Sequence, residues 1–152
     1  MECYPKILFS PPQFCRKIET EQTRHIQAKM VQKTLLVIDD DTFMRIMITE
    51  TLMQNHYYVL CVDNGKSGIE AALSQTPHGI ILDMNMPEMS GIETLKHLKS
   101  DPFTINIPVM MLTGSQKSTD IDNSLKLGAQ DYIIKPFDSQ KLLKRVSKLI
   151  AK

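Results

Sequence analysis

No stretch of this chain is apolar for the roughly 18 residues that a membrane-spanning helix needs, so membrane insertion is not expected. The opening Met1–Ser10 holds only the short apolar patch Ile7–Phe9, too little for the core of a secretory leader. Excess charge is missing as well. A formal net charge of +1 gives no global field to attract DNA or an anionic membrane. Cysteine is sparse: Cys3, Cys15 and Cys61 are odd in number and lack both CxxC and metal-ligand spacing. That argues against a disulfide framework or a zinc site and predicts free thiols in a reducing, cytoplasmic compartment. No glycine-rich phosphate loop follows the first apolar run, which argues against a nucleotide-binding module. None of His25, His56, His78 and His97 falls where an apolar run ends among acids, so no catalytic histidine is assigned.

What is present is enough for one folded domain: 152 residues, 42% of them hydrophobic. Residues 1–32 differ from the rest. Pro5, Pro11 and Pro12 interrupt any early element, and Arg16–Lys29 offers only Ile18, Ile26 and Ala28 as apolar side chains. So little apolar surface does not offset the entropy of ordering, which predicts a disordered or loosely helical tail. Met30 stands four residues before the first strand and is a candidate native start, with the preceding segment an upstream extension.

From Thr34 the chain alternates short apolar runs with stretches of helical period. Leu35–Ile38, Tyr58–Val62, Gly79–Leu82, Val109–Leu112 and Tyr132–Ile134 predict strands. Between them, Met44, Met47, Ile48 and Leu52 mark one helix, and Ile69, Ala72 and Leu73 another. Ile92, Leu95 and Leu98 mark a third, ending near Asp101–Pro102, and Ile121 with Leu125 a fourth, ending around Gly128. Leu142, Leu143, Val146, Leu149 and Ile150 give the clearest amphipathic helix, and Asn64–Gly65 is expected to be a turn. Strands and helices in alternation imply a doubly wound α/β fold, a five-stranded parallel sheet covered on both faces. Right-handed crossovers leave strand order 2-1-3-4-5 as a common solution. The last helix ends close to the C-terminus of the sequence, so no downstream effector domain is expected.

Parallel strands put their C-terminal ends on one edge. There the sequence places Asp39, Asp40 and Asp41 after the first strand and Asp83 after the third. Thr113 follows the fourth, and Lys135–Pro136 the fifth. Two like charges about 4 Å apart repel by roughly 4 kcal/mol at an effective dielectric of 20. A bound cation, a raised pKa or a neighbouring ammonium must offset that. An all-oxygen site suits Mg²⁺ with its waters, Lys135 suits a phosphoryl group, and the Thr113 hydroxyl can donate to an anionic oxygen. Together they describe a phosphoryl-transfer site. Each has a plainer alternative: Asp41 above all as a helix cap, Thr113 as a turn residue before Gly114, Lys135 as a solvated rim lysine.

The motifs Leu35-Leu36-Val37-Ile38-Asp39-Asp40-Asp41, Ile81-Leu82-Asp83-Met84-Asn85-Met86-Pro87 with Gly91, Val109-Met110-Met111-Leu112-Thr113-Gly114 and Asp131-Tyr132-Ile133-Ile134-Lys135-Pro136-Phe137 occur in that order. In order and spacing the chain resembles the receiver domains of two-component response regulators, over about Lys33 to Ile150. The resemblance implies a flavodoxin-like receiver domain at 33–152 and a stand-alone, chemotaxis-regulator-like response regulator. Asp83 would accept a phosphoryl group from a histidine kinase or histidine phosphotransfer protein. Asp40 would bind Mg²⁺ directly, Asp39 through water, and Asn85 through its backbone carbonyl. Lys135 would hold a phosphoryl oxygen beside a cis bond to Pro136, an isomer largely confined to X–Pro. Thr113 and Tyr132 would form the switch, Tyr132 rotating inward as Thr113 moves toward the phosphoryl group. Asp41 falls at a variable position and receives no metal role. The protein would be no general enzyme, catalysing only its own phosphorylation and dephosphorylation and signalling to an unnamed downstream protein.

Lys141, Lys144, Arg145 and Lys148 make the final helix basic on its outer side, either a solvated face or a dock for an acidic partner. Met84, Met86 and Met89 near the acids are expected to be local packing. Two rivals stay in view: an Mg²⁺ phosphatase with an Asp nucleophile, which would want an acid where Asn85 stands, and a receiver-like interaction domain that is never phosphorylated.

Overall fold

The computed structural model describes residues 32–114 and 117–151, with only the backbone of Ser118. The tail expected over 1–32 and the start at Met30 lie, Gln32 apart, outside the described residues. Ten elements alternate: β1 Thr34–Ile38, α1 Thr42–Gln54, β2 Tyr58–Val62, α2 Gly65–Gln75, β3 Gly79–Asp83, α3 Gly91–Ser100, β4 Val109–Thr113, α4 Ser118–Lys126, β5 Asp131–Ile134 and α5 Ser139–Leu149. All strand pairs are parallel, in the order β2-β1-β3-β4-β5 expected from the alternation.

The period-2 geometry of a strand sends neighbouring side chains to opposite faces. In β1, Leu36 and Ile38 join one apolar cluster with Ala72, Ile80, Leu82 and Leu95. Leu35 and Val37 join the other, with Ile48, Leu52, Ile81 and Val146. α2 and α3 therefore cover one face, α1 and α5 the opposite one. β3, central and buried at every position, is shared by both. Continuous apolar runs rather than alternating ones follow from this double cover. Among the described residues no helix is long and apolar enough to cross a membrane.

Among the described residues, four of the five helix starts are fixed by polar side chains; α4, which follows Lys117, has no side-chain cap. Asp41 accepts from the Phe43 and Met44 amides, Asn64 from Ser67 and Asp138 from Lys141. Ser90 and Glu93 form a reciprocal capping box. Asn64–Gly65 is thus a cap and first helical residue, not the free-standing turn expected; a short oxygen-bearing side chain serves both structures equally well in sequence. Gly65 allows close packing, because a Cβ there would lie 2.2 Å from Thr94 Oγ1.

Candidate functional site

Register brings the chemistry to one edge. Ile38 pairs with Leu82, so the next residues along, Asp39 and Asp83, come abreast. Asp83 pairs with Leu112, and Thr113 with Ile134, one step before Lys135. The Lys135 amide donates to the Thr113 carbonyl at 2.7 Å and the Met84 amide to Leu112 at 2.9 Å, which extends the ladder into the loops. The α3 N-terminus closes the floor: Gly91 N–H donates to Met84 O at 2.9 Å. A Cβ on Gly91 would stand 2.0 Å from the Asp83 carbonyl oxygen, so only glycine fits that approach.

Carboxylate oxygens of Asp39, Asp40 and Asp83 lie within 4.8 Å of one another. Asp39 is fully buried and Asp83 4% exposed, whereas Asp40 faces solvent. Lys135 Nζ spans the two buried carboxylates, 3.0 Å from Asp39 Oδ2 and 2.9 Å from Asp83 Oδ1. The second Asp39 oxygen accepts from the Asp41 amide at 2.9 Å. The ammonium thus offsets the mutual repulsion of carboxylates that burial would otherwise leave uncompensated.

Burial pushes the Asp83 carboxyl up, and the charges of Asp39 and Asp40 add to this, more than the Lys135 hydrogen bond pulls it down. Burial alone would lower the Lys135 ammonium, but its hydrogen bonds to Asp83 and Asp39 and their charges outweigh that and raise it. The pair thus favours the charged form of Lys135 and makes ionisation of Asp83 costlier than in water.

The site fits a hard divalent cation. Its donors are all carboxylate oxygens, the charge is concentrated, and exposed Asp40 opens one side to water and an incoming ligand. Asp41 is the α1 cap, the plainer role weighed for it. Asn85 is exposed directly beyond the strand end, flanked by Met84 and Met86, which are core residues. Thr113 is fully buried at the end of β4. Tyr132 is half-buried against the cluster under α2 and α3. The Lys135–Pro136 peptide is cis.

Residues outside the cluster fall as follows. Cys61 is a free, exposed thiol on β2; Cys3, Cys15 and His25 lie outside the described residues. His78 is exposed at the opposite edge, where its Nδ1 accepts from the Thr34 amide at 3.0 Å. In the basic row of α5, Arg145 is tied to Asp131 at 2.6 Å. Sequence reasoning missed Arg45, whose Nη1 donates to the carbonyls of Asp39 at 2.7 Å and Asp40 at 3.0 Å. It sits at the fifth position counting the cap as first, a place that strand-end inspection does not reach.

Comparison with known proteins points the same way. A family model described as the response regulator receiver domain matches residues 35–147. The chain is 36% identical over 121 residues to the phosphate regulon transcriptional regulatory protein PhoB of Pseudomonas aeruginosa, covering 80% of this chain and 53% of that one. It is 34% identical to the chemotaxis protein CheY of Bacillus subtilis, covering 76% of this chain and 96% of that one. The chain thus spans about half the length of relatives such as PhoB and nearly all of CheY. Among solved structures, the Vibrio cholerae chemotaxis protein CheY4 superposes with a TM-score of 0.75 at 28% identity, covering 78% of this chain and 99% of that one.

Proposed function

Because the chain belongs to the response regulator receiver domain family of two-component systems, we propose that it accepts a phosphoryl group on Asp83 from a phosphohistidine donor, a histidine kinase or histidine phosphotransfer protein. The observation that carries this is the Lys135 ammonium shared between Asp83 and Asp39, with Asp40 at the open side. An Asp83 oxygen attacks phosphorus as the P–N bond to the donor imidazole breaks. The imidazole leaves with the electron pair and takes up a proton, and Asp83 becomes an acyl phosphate.

Each neighbour has a task in that step. Burial and its acidic neighbours leave the ionised form of Asp83 poorly stabilised, which suits a nucleophile. Lys135, on a flexible stem, can follow the developing negative charge from the carboxylate to a phosphoryl oxygen. The Thr113 hydroxyl is a donor for a second phosphoryl oxygen. Mg²⁺, held by the carboxylates of Asp40 and Asp83, by Asp39 through water and by the Asn85 carbonyl, would neutralise charge on the phosphoryl oxygens. Thr113 and Tyr132 then form the switch. A phosphoryl group adds up to about two negative charges, draws Thr113 inward, and leaves space for Tyr132 on the surface of α4, β5 and α5. The output we propose is phosphorylation-dependent protein contact by a cytoplasmic protein whose only reactions are on itself.

Incubation with acetyl phosphate and Mg²⁺ followed by intact mass measurement tests this. One phosphoryl adduct on the wild type, absent from Asp83→Asn, is expected. No adduct on the wild type overturns the proposal and leaves an unphosphorylated interaction domain.

A further inference from the structure

Arg45 reaches from the second turn of α1 back over the start of that helix. Its Nη1 donates to Asp39 O and Asp40 O at 2.7 and 3.0 Å, and its Nη2 to Thr42 Oγ1 at 3.1 Å. All three contacts run to main chain or hydroxyl, and among the described residues no ion pair joins Arg45 to a carboxylate. The two carbonyls belong to the two neighbouring acids of the cluster.

Those acids are held very unequally. The Asp39 carboxylate is fixed by Lys135 and by the Asp41 amide. The exposed Asp40 carboxylate accepts no hydrogen bond among the described residues, so its direction depends on its backbone alone. That backbone leaves β1 at Asp39 and enters the α1 cap at Asp41. Arg45 is the side chain that grips it between, with a planar fork whose geometry a single ammonium cannot copy. The α1 start is already capped by Asp41, so the helix has no need of Arg45 for that purpose.

We propose that Arg45 is a positioning residue, holding the Asp39–Asp40 main chain so that the Asp40 carboxylate is preorganised for a divalent cation. The proposal rests on the reading of Asp39, Asp40 and Asp83 as an Mg²⁺ site. Supporting residues of this kind commonly change metal affinity by about 10- to 100-fold when removed. The sign separates the idea from plain electrostatics. A cation near the site repels Mg²⁺, so if charge were all, removing Arg45 would tighten binding; if positioning dominates, binding weakens.

The test titrates Mg²⁺ into the full chain, following amide NMR shifts at Asp40 and Asp41. Arg45→Gln is expected to raise the Mg²⁺ Kd by about tenfold, and Arg45→Lys by less. With acetyl phosphate, the Mg²⁺ concentration for half-maximal phosphorylation should rise by the same factor. The rate at saturating Mg²⁺ should stay near wild type, a split that general loss of structure does not produce. Should Arg45→Gln fail to fold, Arg45→Lys, which keeps charge and stem, carries the measurement. An Mg²⁺ Kd unchanged or lowered in the variants while the wild type binds Mg²⁺ overturns the role of Arg45 alone. No Mg²⁺ binding by the wild type overturns the cation site and this role together.

Discussion

Burial makes Asp83 costly to ionise in the fold. Its carboxyl is raised above the ordinary value of 3.8 chiefly by burial and then by its acidic neighbours, so the folded protein binds its proton more tightly than the unfolded chain does. Stability therefore falls as pH rises from that unfolded value through the folded one, and above both the ionised group weakens the fold. Asp83→Asn should accordingly stabilise the protein at neutral pH, by about 1 kcal/mol or a few degrees of Tm. The difference should shrink as melts are taken to pH below 3.8; a variant less stable than wild type at pH 7 would contradict the argument. Mg²⁺ at the proposed site would act in the opposite sense. At about 100 times its Kd it should stabilise the wild type by roughly 2.7 kcal/mol. EDTA should remove that gain, and Asp83→Asn should show little of it in the same melts. Asp39, Asp83, Thr113 and Lys135 were legible in the sequence because an apolar run ending in a polar residue marks a strand end. Arg45 was not, since a guanidinium aimed at main-chain carbonyls leaves no pattern in residue type.

At the scale of elements, α1, α2, α3 and α5 begin where side-chain oxygens meet free amides, and the junctions at α1 and α3 also shape the site. Ser90→Ala removes the cap of α3 and should cost about 1 kcal/mol in chemical denaturation. Gly91→Ala should cost more, about 2–4 kcal/mol, because the new Cβ meets the Asp83 backbone rather than a flexible side chain. It should also slow phosphorylation, as α3 is pushed away from the strand end; denaturation melts and the intact-mass assay read the two effects separately. The strands came through from sequence to within a residue, since buried parallel strands are short unbroken apolar runs. Two local features did not. Asn64–Gly65 serves turn and helix start with the same residues, and the Ser67 and Gly68 amides donating to Asn64 distinguish them. The basic row on α5 looked uniform, yet Arg145 is spoken for by Asp131 across to β5. Pairing across sequence distance is invisible to helical period.

For the whole molecule, strand order and register decide which distant residues meet; alternation implied the shared edge, and the observed order is a common one among the few that right-handed crossovers leave. In the proposed switch, Tyr132 on β5 would carry the change at that edge to the surface of α4, β5 and α5. Tyr132→Ala should leave Asp83 phosphorylation intact while abolishing the gain in partner capture by the phosphorylated form in pull-downs. Retention of that gain would remove Tyr132 from the switch.

Lys33, just ahead of β1, donates to the Ile150 carbonyl at 2.7 Å, and Ile150 also lies over Gly79 at the start of β3. The folded body is therefore entered and left at a common doorway, on the rim remote from Asp83. The bond that joins the first and last described elements thus lies off the reactive rim, and losing it should leave the carboxylate cluster in place.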